Sequence, residues 1–198
     1  MNAPSPHTVL ISPIGDVDRI ILESAGAEID RVYGFRTEIA RILDEVEFAF
    51  DKDRNQYYST LFLERLAAKA PSHVLKVLGI TRVDLFIPIL THVYGEAQLG
   101  GKACIVSTHR LNEGFPNILN ETYKYRVAKE VIHELGHTFD LRHCRERHCI
   151  MHYSRTVKDV DRKSDQLCRY CRVLLSDELK RLGKGFPLGR QKAERECP

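Results

Sequence analysis

Residues 133–143 read His-Glu-Leu-Gly-His-Thr-Phe-Asp-Leu-Arg-His. His133 and His137 are four apart, so on a helix their imidazoles stand one turn apart on one face and can converge on a single metal ion. Glu134, beside the first of them, is placed to take a proton from a water at that ion. His143 lies beyond the turn that must follow the helix, and brings a third imidazole to the same point. Three nitrogen donors with an open fourth position describe a catalytic site rather than a closed structural one. In a chain of this composition a chance HExxH has a probability on the order of 3%, and a third histidine at fixed spacing lowers it to about 0.1%.

The segment upstream predicts the helix that this geometry needs. From Asn120 to about Phe139, residues Tyr123, Val127, Val131, Leu135 and Phe139 recur every four positions as one apolar stripe, away from the face that carries the histidines. Asn120 suits the N-cap, and Glu121 suits the positive end of the helix dipole. Downstream stand Cys144, Cys149, Cys168 and Cys171, spaced C-x4-C and C-x2-C. Two such pairs predict a closed, structural site of four thiolates. Disulfides are the alternative, and His148 inside the first loop is a possible substitute for one thiolate. Cys104 is expected as a small buried residue in a strand, and Cys197 as an exposed free thiol.

The wider chain fits one domain. It has 198 residues and 22.8 kDa, with 43% hydrophobic and 29% charged residues, which excludes a membrane-dominated or largely disordered protein. The opening MNAPSPHTVLISPIGD lacks a basic n-region and a long apolar run, so a soluble cytoplasmic protein with reduced thiols is expected. The net charge of +3 is uneven. Residues 144–198 carry 14 Lys/Arg and 8 Asp/Glu, a net +6 that leaves −3 for the rest. The expected layout is residues 1–143 as an N-terminal part with the active-site helix, and 144–198 as a smaller metal-braced part ending in a charged, frayed tail. Interleaved acids (Asp159, Asp161, Asp165, Asp177, Glu178) make that basic part a solvated surface rather than a nucleic-acid interface. Thr8–Ile11 reads as a first strand ending at Pro13 and Gly15. Residues 56–78 read as two helices broken at Pro71 and Ser72, and Val83–Ile89, Thr91–Gly95 and Lys102–Ser107 as strands. An α/β (α+β) sheet backed by helices follows.

The stretch HELGHTFDLRHCRERHCIM, followed by LCRYC, resembles the zinc signature of the archaemetzincin family of metzincin-type metallopeptidases. The similarity extends upstream through DRNQYYST, LGITRVDLFIPIL and VYGEAQLGGKACIVS. It implies a metzincin-like fold: a twisted five-stranded mixed sheet with backing and active-site helices, then a small zinc-braced C-terminal part. It also implies a methionine turn beneath the metal, supplied by Met151. The family pattern usually has glycine three residues after the second histidine. Here that residue is Asp140, a type that tolerates left-handed backbone better than most. Met151-His152-Tyr153 resembles the Met-x-Tyr of astacin-type metzincins, where the phenol reaches the metal or the developing oxyanion.

The reading is zinc-dependent peptide-bond hydrolysis, with aminopeptidase action as one form of it. It uses two zinc ions per chain: one catalytic at His133, His137 and His143, one structural at the four cysteines. Glu134 is the general base, and a peptide or protein substrate lies along an edge strand near Thr91–Ala97. The other reading is a zinc-stabilised peptide-binding module with a silent site. A monomer without membrane or nucleic-acid partners is expected.

Overall fold

The computed structural model describes residues 8–114 and 120–183; the expected charged tail and Cys197 lie outside them. In chain order, β1 (Thr8–Ile14), α1 (Arg19–Tyr33) and β2 (Arg36–Ile39) are followed by a 3-10 turn, β3 (Phe50–Asp51), β4 (Gln56–Tyr58) and α2 (Ser59–Lys69). Next come β5 (Val74–Thr81), β6 (Leu85–Phe86), β7 (Gly95–Ala97) and β8 (Ala103–Ser107). The helices α3 (Glu121–Thr138), α4 (Val157–Arg162) and α5 (Arg169–Arg181) complete the described chain.

The main sheet has five strands in the order β2-β1-β5-β8-β7, all parallel except β7, which pairs antiparallel with β8 and whose other edge pairs with no strand among the described residues. Alternation along each strand builds two cores. Val9, Ile11, Leu78, Ile80, Cys104 and Val106 face α1, α3 and the C-terminal helices; Leu10, Ile14, Val77, Ala103 and Ile105 face α2. A mixed sheet of five strands matches the expected fold class. Cys104 is fully buried on β8, as expected. A small sheet of β3, β4 and β6 lies apart from the main one. Among the described residues, no helix is long and apolar enough to cross a membrane.

Several element boundaries differ from the sequence reading. The expected second helix after Pro71 is instead β5, a central strand buried on both faces. Its apolar run VLKVLGIT shows no period that separates such a strand from a helix. Val83–Ile89 contributes only the two residues of β6, and Ile89 is 85% exposed. β1 runs through Pro13. β2 stops at Ile39 opposite Ile11, so beyond that point β1 has a neighbour on one side only and a residue without N–H is tolerated. The edge strand is Gly95–Ala97, at the end of the expected Thr91–Ala97 segment.

The helix α3 organises the rest. The Asn120 side chain accepts from the N–H groups of Thr122 and Tyr123, and the stripe from Tyr123 to Phe139 is buried, as its spacing predicted. At its C-terminal end, Lys76 of β5 donates from Nζ to Thr138 O (2.5 Å) and Gly101 O (2.6 Å), and Gly100 N–H donates to His137 O. These donors satisfy carbonyls that the helix leaves open. Along the flank facing α4, three charged side chains reach across. Arg126 pairs Asp161 through two contacts of 2.7 and 2.8 Å, and Lys129 Nζ donates to Val160 O and Asp161 O. Glu130 Oε1 lies 2.7 Å from Lys163 Nζ, with both side chains buried. That pair meets at ion-pair distance but outside hydrogen-bond angles, so Coulomb attraction is its main content.

Breaking a buried pair from one side leaves an uncompensated charge, which costs roughly 3–5 kcal/mol, whereas replacing both partners with apolar residues is far milder. Lys163→Met is therefore expected to lower stability by about that amount in chemical denaturation. Adding Glu130→Leu should recover most of the loss. Equal stability of the wild type and the single variant would show that the pair does not hold α4 on α3.

Candidate active site

His133 and His137 project from one face of α3, as their spacing requires, and backbone carbonyls fix their protons. His133 Nδ1 lies 2.8 Å from Ile150 O, and His137 Nδ1 lies 2.6 Å from Leu141 O. A carbonyl only accepts, so each Nδ1 carries the hydrogen and each Nε2 presents a lone pair. The two Nε2 atoms are 3.1 Å apart. With no proton available between them, that contact is not a hydrogen bond but two lone pairs facing one another, a repulsion that a cation between them relieves. Burial, with the positive charge of Lys163 and the neighbouring imidazoles, holds His133 far below the ordinary histidine range. Burial pushes His137 down to about 4 and also lowers His143. The imidazoles are therefore neutral near pH 7, the state in which they ligate metal.

The third imidazole arrives after a chain reversal. Asp140 has φ 60°, the left-handed conformation expected at this position, and its N–H donates to His137 O. The reversal places the His143 ring 5.3 Å from that of His133 and 4.9 Å from that of His137. One nitrogen from each of the three lies within 4.8 Å of the others. The donor set fits a divalent ion of the zinc type: three neutral nitrogens converging on one point, with an open side towards a cleft.

That cleft, of about 450 Å³, is walled by β7 and its approach (Leu90 to Ala97) and by Tyr153, Ser154 and Arg155. The Tyr153 ring packs 5.0 Å from His143. Glu134 lies against the backbone of the edge strand. A Cβ on Gly95 would sit 2.5 Å from Glu134 Cγ and 2.6 Å from Ile105 O, so only glycine allows the approach. Burial raises the Glu134 carboxyl well above its usual range, and the Glu130 and Glu96 carboxylates push the same way while Lys163 opposes them. A cation at the imidazoles would also oppose them.

The second group is as compact as the first. Cys144, Cys149, Cys168 and Cys171 offer sulfurs within 4.8 Å of one another, and all four are unbridged. Cys144 Sγ and Cys168 Sγ are 3.7 Å apart, far beyond a bond. His148 stands outside the group. The thiol of Cys149 is pushed down to about 5, chiefly by hydrogen bonding from Cys171 and helped by the N–H groups of Cys168 and Met151 against the opposing effect of burial. A crowded set of thiols with one readily ionised member suits a cation held by thiolates. Met151 is fully buried beneath the histidines. A Cβ on Gly136 would meet its Sδ at 2.6 Å, so the middle glycine of the histidine motif makes room for the methionine.

The structure thus gathers the expected His133, His137 and His143 into one cluster, with Glu134 and Tyr153 on the same cleft, and the four cysteines into another. The sequence reading missed Glu130 with its partner Lys163, and the close approach of Gly95. Glu130 stands one turn before Glu134 on the same face, a spacing that marked it as a neighbour of the site. Nothing in the sequence marked Lys163.

Comparison with known proteins points to one family. The model of peptidase family M54 matches residues 6–177. An archaemetzincin of Halobacterium salinarum is 39% identical over 166 residues, covering 81% of this chain and 95% of that protein. An archaemetzincin of Methanopyrus kandleri is 43% identical over 137 residues, covering 69% and 75%. The crystal structure of archaemetzincin from Methanopyrus kandleri superposes with a TM-score of 0.77 at 32% identity, over 91% of this chain and 99% of the other. That of Archaeoglobus fulgidus archaemetzincin, complexed with malonate, gives 0.73 at 30% identity, over 84% and 99%.

Asp140 holds left-handed backbone at some steric cost, while glycine would spend more entropy on folding. The balance favours Asp140→Gly by about 0.5 kcal/mol, or roughly 1–2 °C in Tm. A variant that melts below the wild type would show that the Asp140 side chain contributes more than its backbone conformation costs.

Proposed function

The chain belongs to peptidase family M54, the archaemetzincins, and is a zinc metallopeptidase; from that premise we propose that His133, His137 and His143 hold the reaction's zinc and that Glu134 is its general base. The observation that carries the first assignment is the pair of carbonyl-fixed tautomers, which leaves the Nε2 lone pairs of His133 and His137 opposed at 3.1 Å. Held by these three imidazoles, a zinc ion would supply a Lewis acid for the scissile carbonyl and for a water beside it.

The chain's own residues do the rest. Substrate lies extended along the outer edge of β7, where main-chain groups hydrogen-bond as an added strand. Glu134, pressed against that strand at Gly95, takes the proton of the attacking water and hands it to the leaving amine. Its buried setting raises its proton affinity, which suits a group that must both accept and release a proton. Tyr153, beside His143 on the cleft wall, turns its phenol to the oxygen that gains charge. Cys144, Cys149, Cys168 and Cys171 hold a second, structural zinc. Their loop carries the Ile150 carbonyl that orients His133.

Glu134→Ala should keep two zinc ions per chain by metal analysis and lose measurable peptide turnover. Turnover that persists would remove Glu134 as the base. Wild-type protein with both ions and no turnover on a broad peptide library would instead favour the peptide-binding module. Cys149→Ser should lose one ion and melt lower; an unchanged zinc count would contradict the four-thiolate site. Tyr153→Phe should lower kcat by about tenfold with zinc content intact, and unchanged kinetics would remove Tyr153 from the mechanism.

A further inference from the structure

The cleft does not end at the imidazoles. A second space of about 620 Å³ continues it past the start of β7, and His92, Tyr94 and Arg155 line both. The second space is the more basic. Around the first stand the carboxylates Glu96, Glu130 and Glu134, with Glu130 offset by Lys163; around the second stand Arg110, Arg155 and Lys158 with His92 and His109, and Glu113 is the one carboxylate among its lining residues. Arg110 is held by Asp84 through two contacts of 2.7 Å, which fixes it and offsets its charge. Arg155 and Lys158 are exposed; the Arg155 guanidinium stands 5.9 Å over the Tyr153 ring, and among the described residues neither side chain is ion-paired with a carboxylate. Partial burial and, secondarily, the charge of Arg110 lower the proton affinity of His92, against the opposing charge of Asp84. An apolar or cationic chain gains little from such a space; an anionic one is drawn to it.

The direction of the substrate follows from the sheet. β7 is the last strand, with one edge unpaired among the described residues. Antiparallel pairing is the more stable of the two ladders. An antiparallel substrate whose scissile bond lies by Glu134, opposite Gly95, sends its C-terminal half past Tyr94 towards His92; strand pairing ends there, because Val93 N–H is already given to Leu85 O at 2.9 Å. At about 3.3 Å per residue, the basic space begins two to three residues beyond the cut. We propose that the cleft selects peptides with a carboxylate two or three residues to the C-terminal side of the scissile bond, received by Arg155 and Lys158. This rests on the peptidase reading above. The carboxylate is either an acidic side chain or the end of the peptide itself.

The test uses the zinc-loaded full chain and quenched-fluorescent peptides. They carry Glu, Gln or Lys at each of three positions on either side of the cleaved bond, each as free acid and as amide. Glu should exceed Lys by five- to tenfold in kcat/KM at the second or third position after the bond, mostly through KM. The ratio should shrink in 0.5 M salt, as screening requires. A preference that disappears on amidation identifies the terminus as the recognised group, and one that survives identifies the side chain. Arg155→Glu combined with Lys158→Glu should invert the ratio. Equal rates for Glu and Lys, a preference confined to the N-terminal side, or a ratio unchanged in the double variant would overturn the proposal. Failure to cut any peptide would count against the peptidase reading itself. Fluorescence anisotropy of the same peptides on the Glu134→Ala protein then decides the charge preference separately, with tighter binding of the Glu series expected and equal binding overturning it.

Discussion

Two backbone carbonyls hold this molecule to its chemistry. Ile150 O and Leu141 O each take the Nδ1 proton of a histidine on α3 and so aim two lone pairs at one point, 3.1 Å apart. Without a cation, that arrangement is unfavourable, and the fold must be rigid enough to sustain it. The rigidity has visible sources. The helix is capped at Asn120, its last carbonyls are met by Lys76 and Gly100, and its apolar stripe is buried against the sheet. The chain then reverses at Asp140, which delivers both Leu141 O and His143.

The other carbonyl comes from the C-terminal part, and this ties the two donor clusters together. Cys149, Ile150 and Met151 are consecutive. The first joins the thiol group, the second orients His133, and the third fills the space that Gly136 leaves beneath the histidines. The same part is latched to α3 by Arg126, Lys129 and Glu130, which meet Asp161, the end of α4 and Lys163. This small segment is thereby held by its apolar residues in the main core, among them Val160, Leu167, Leu175 and Leu179, by side-chain charge on one flank and by the thiol cluster. Its wall at Tyr153 to Arg155 is in turn one side of the substrate cleft. The Ile150 carbonyl, one residue after Cys149, is thus the contact between the cysteine loop and His133.

The site was more legible than the fold around it. Histidines four apart on an amphipathic helix, and cysteines in two short loops, are local patterns whose geometry follows from the helix period and the metal's preferences. The left-handed turn at Asp140 was legible from the family resemblance, whose pattern usually has glycine at that position. The strands were not. VLKVLGIT is buried on both faces because β5 is central, so its apolar residues do not alternate, and Val83–Ile89 looked like a buried strand although Ile89 is solvent-exposed. Gly95 and Lys163 were invisible because their importance comes from residues distant in sequence: Glu134 presses on one, and Glu130 pairs with the other.

Three imidazoles forming one zinc-binding centre, separate from a four-thiolate centre, would be visible in anomalous diffraction from crystals of the zinc-loaded protein, recorded on both sides of the zinc edge. Two peaks per chain are expected, one between the imidazoles of His133, His137 and His143, the other enclosed by the sulfurs of Cys144, Cys149, Cys168 and Cys171. A single peak, or a peak at the histidines that excludes His143, would contradict that assignment.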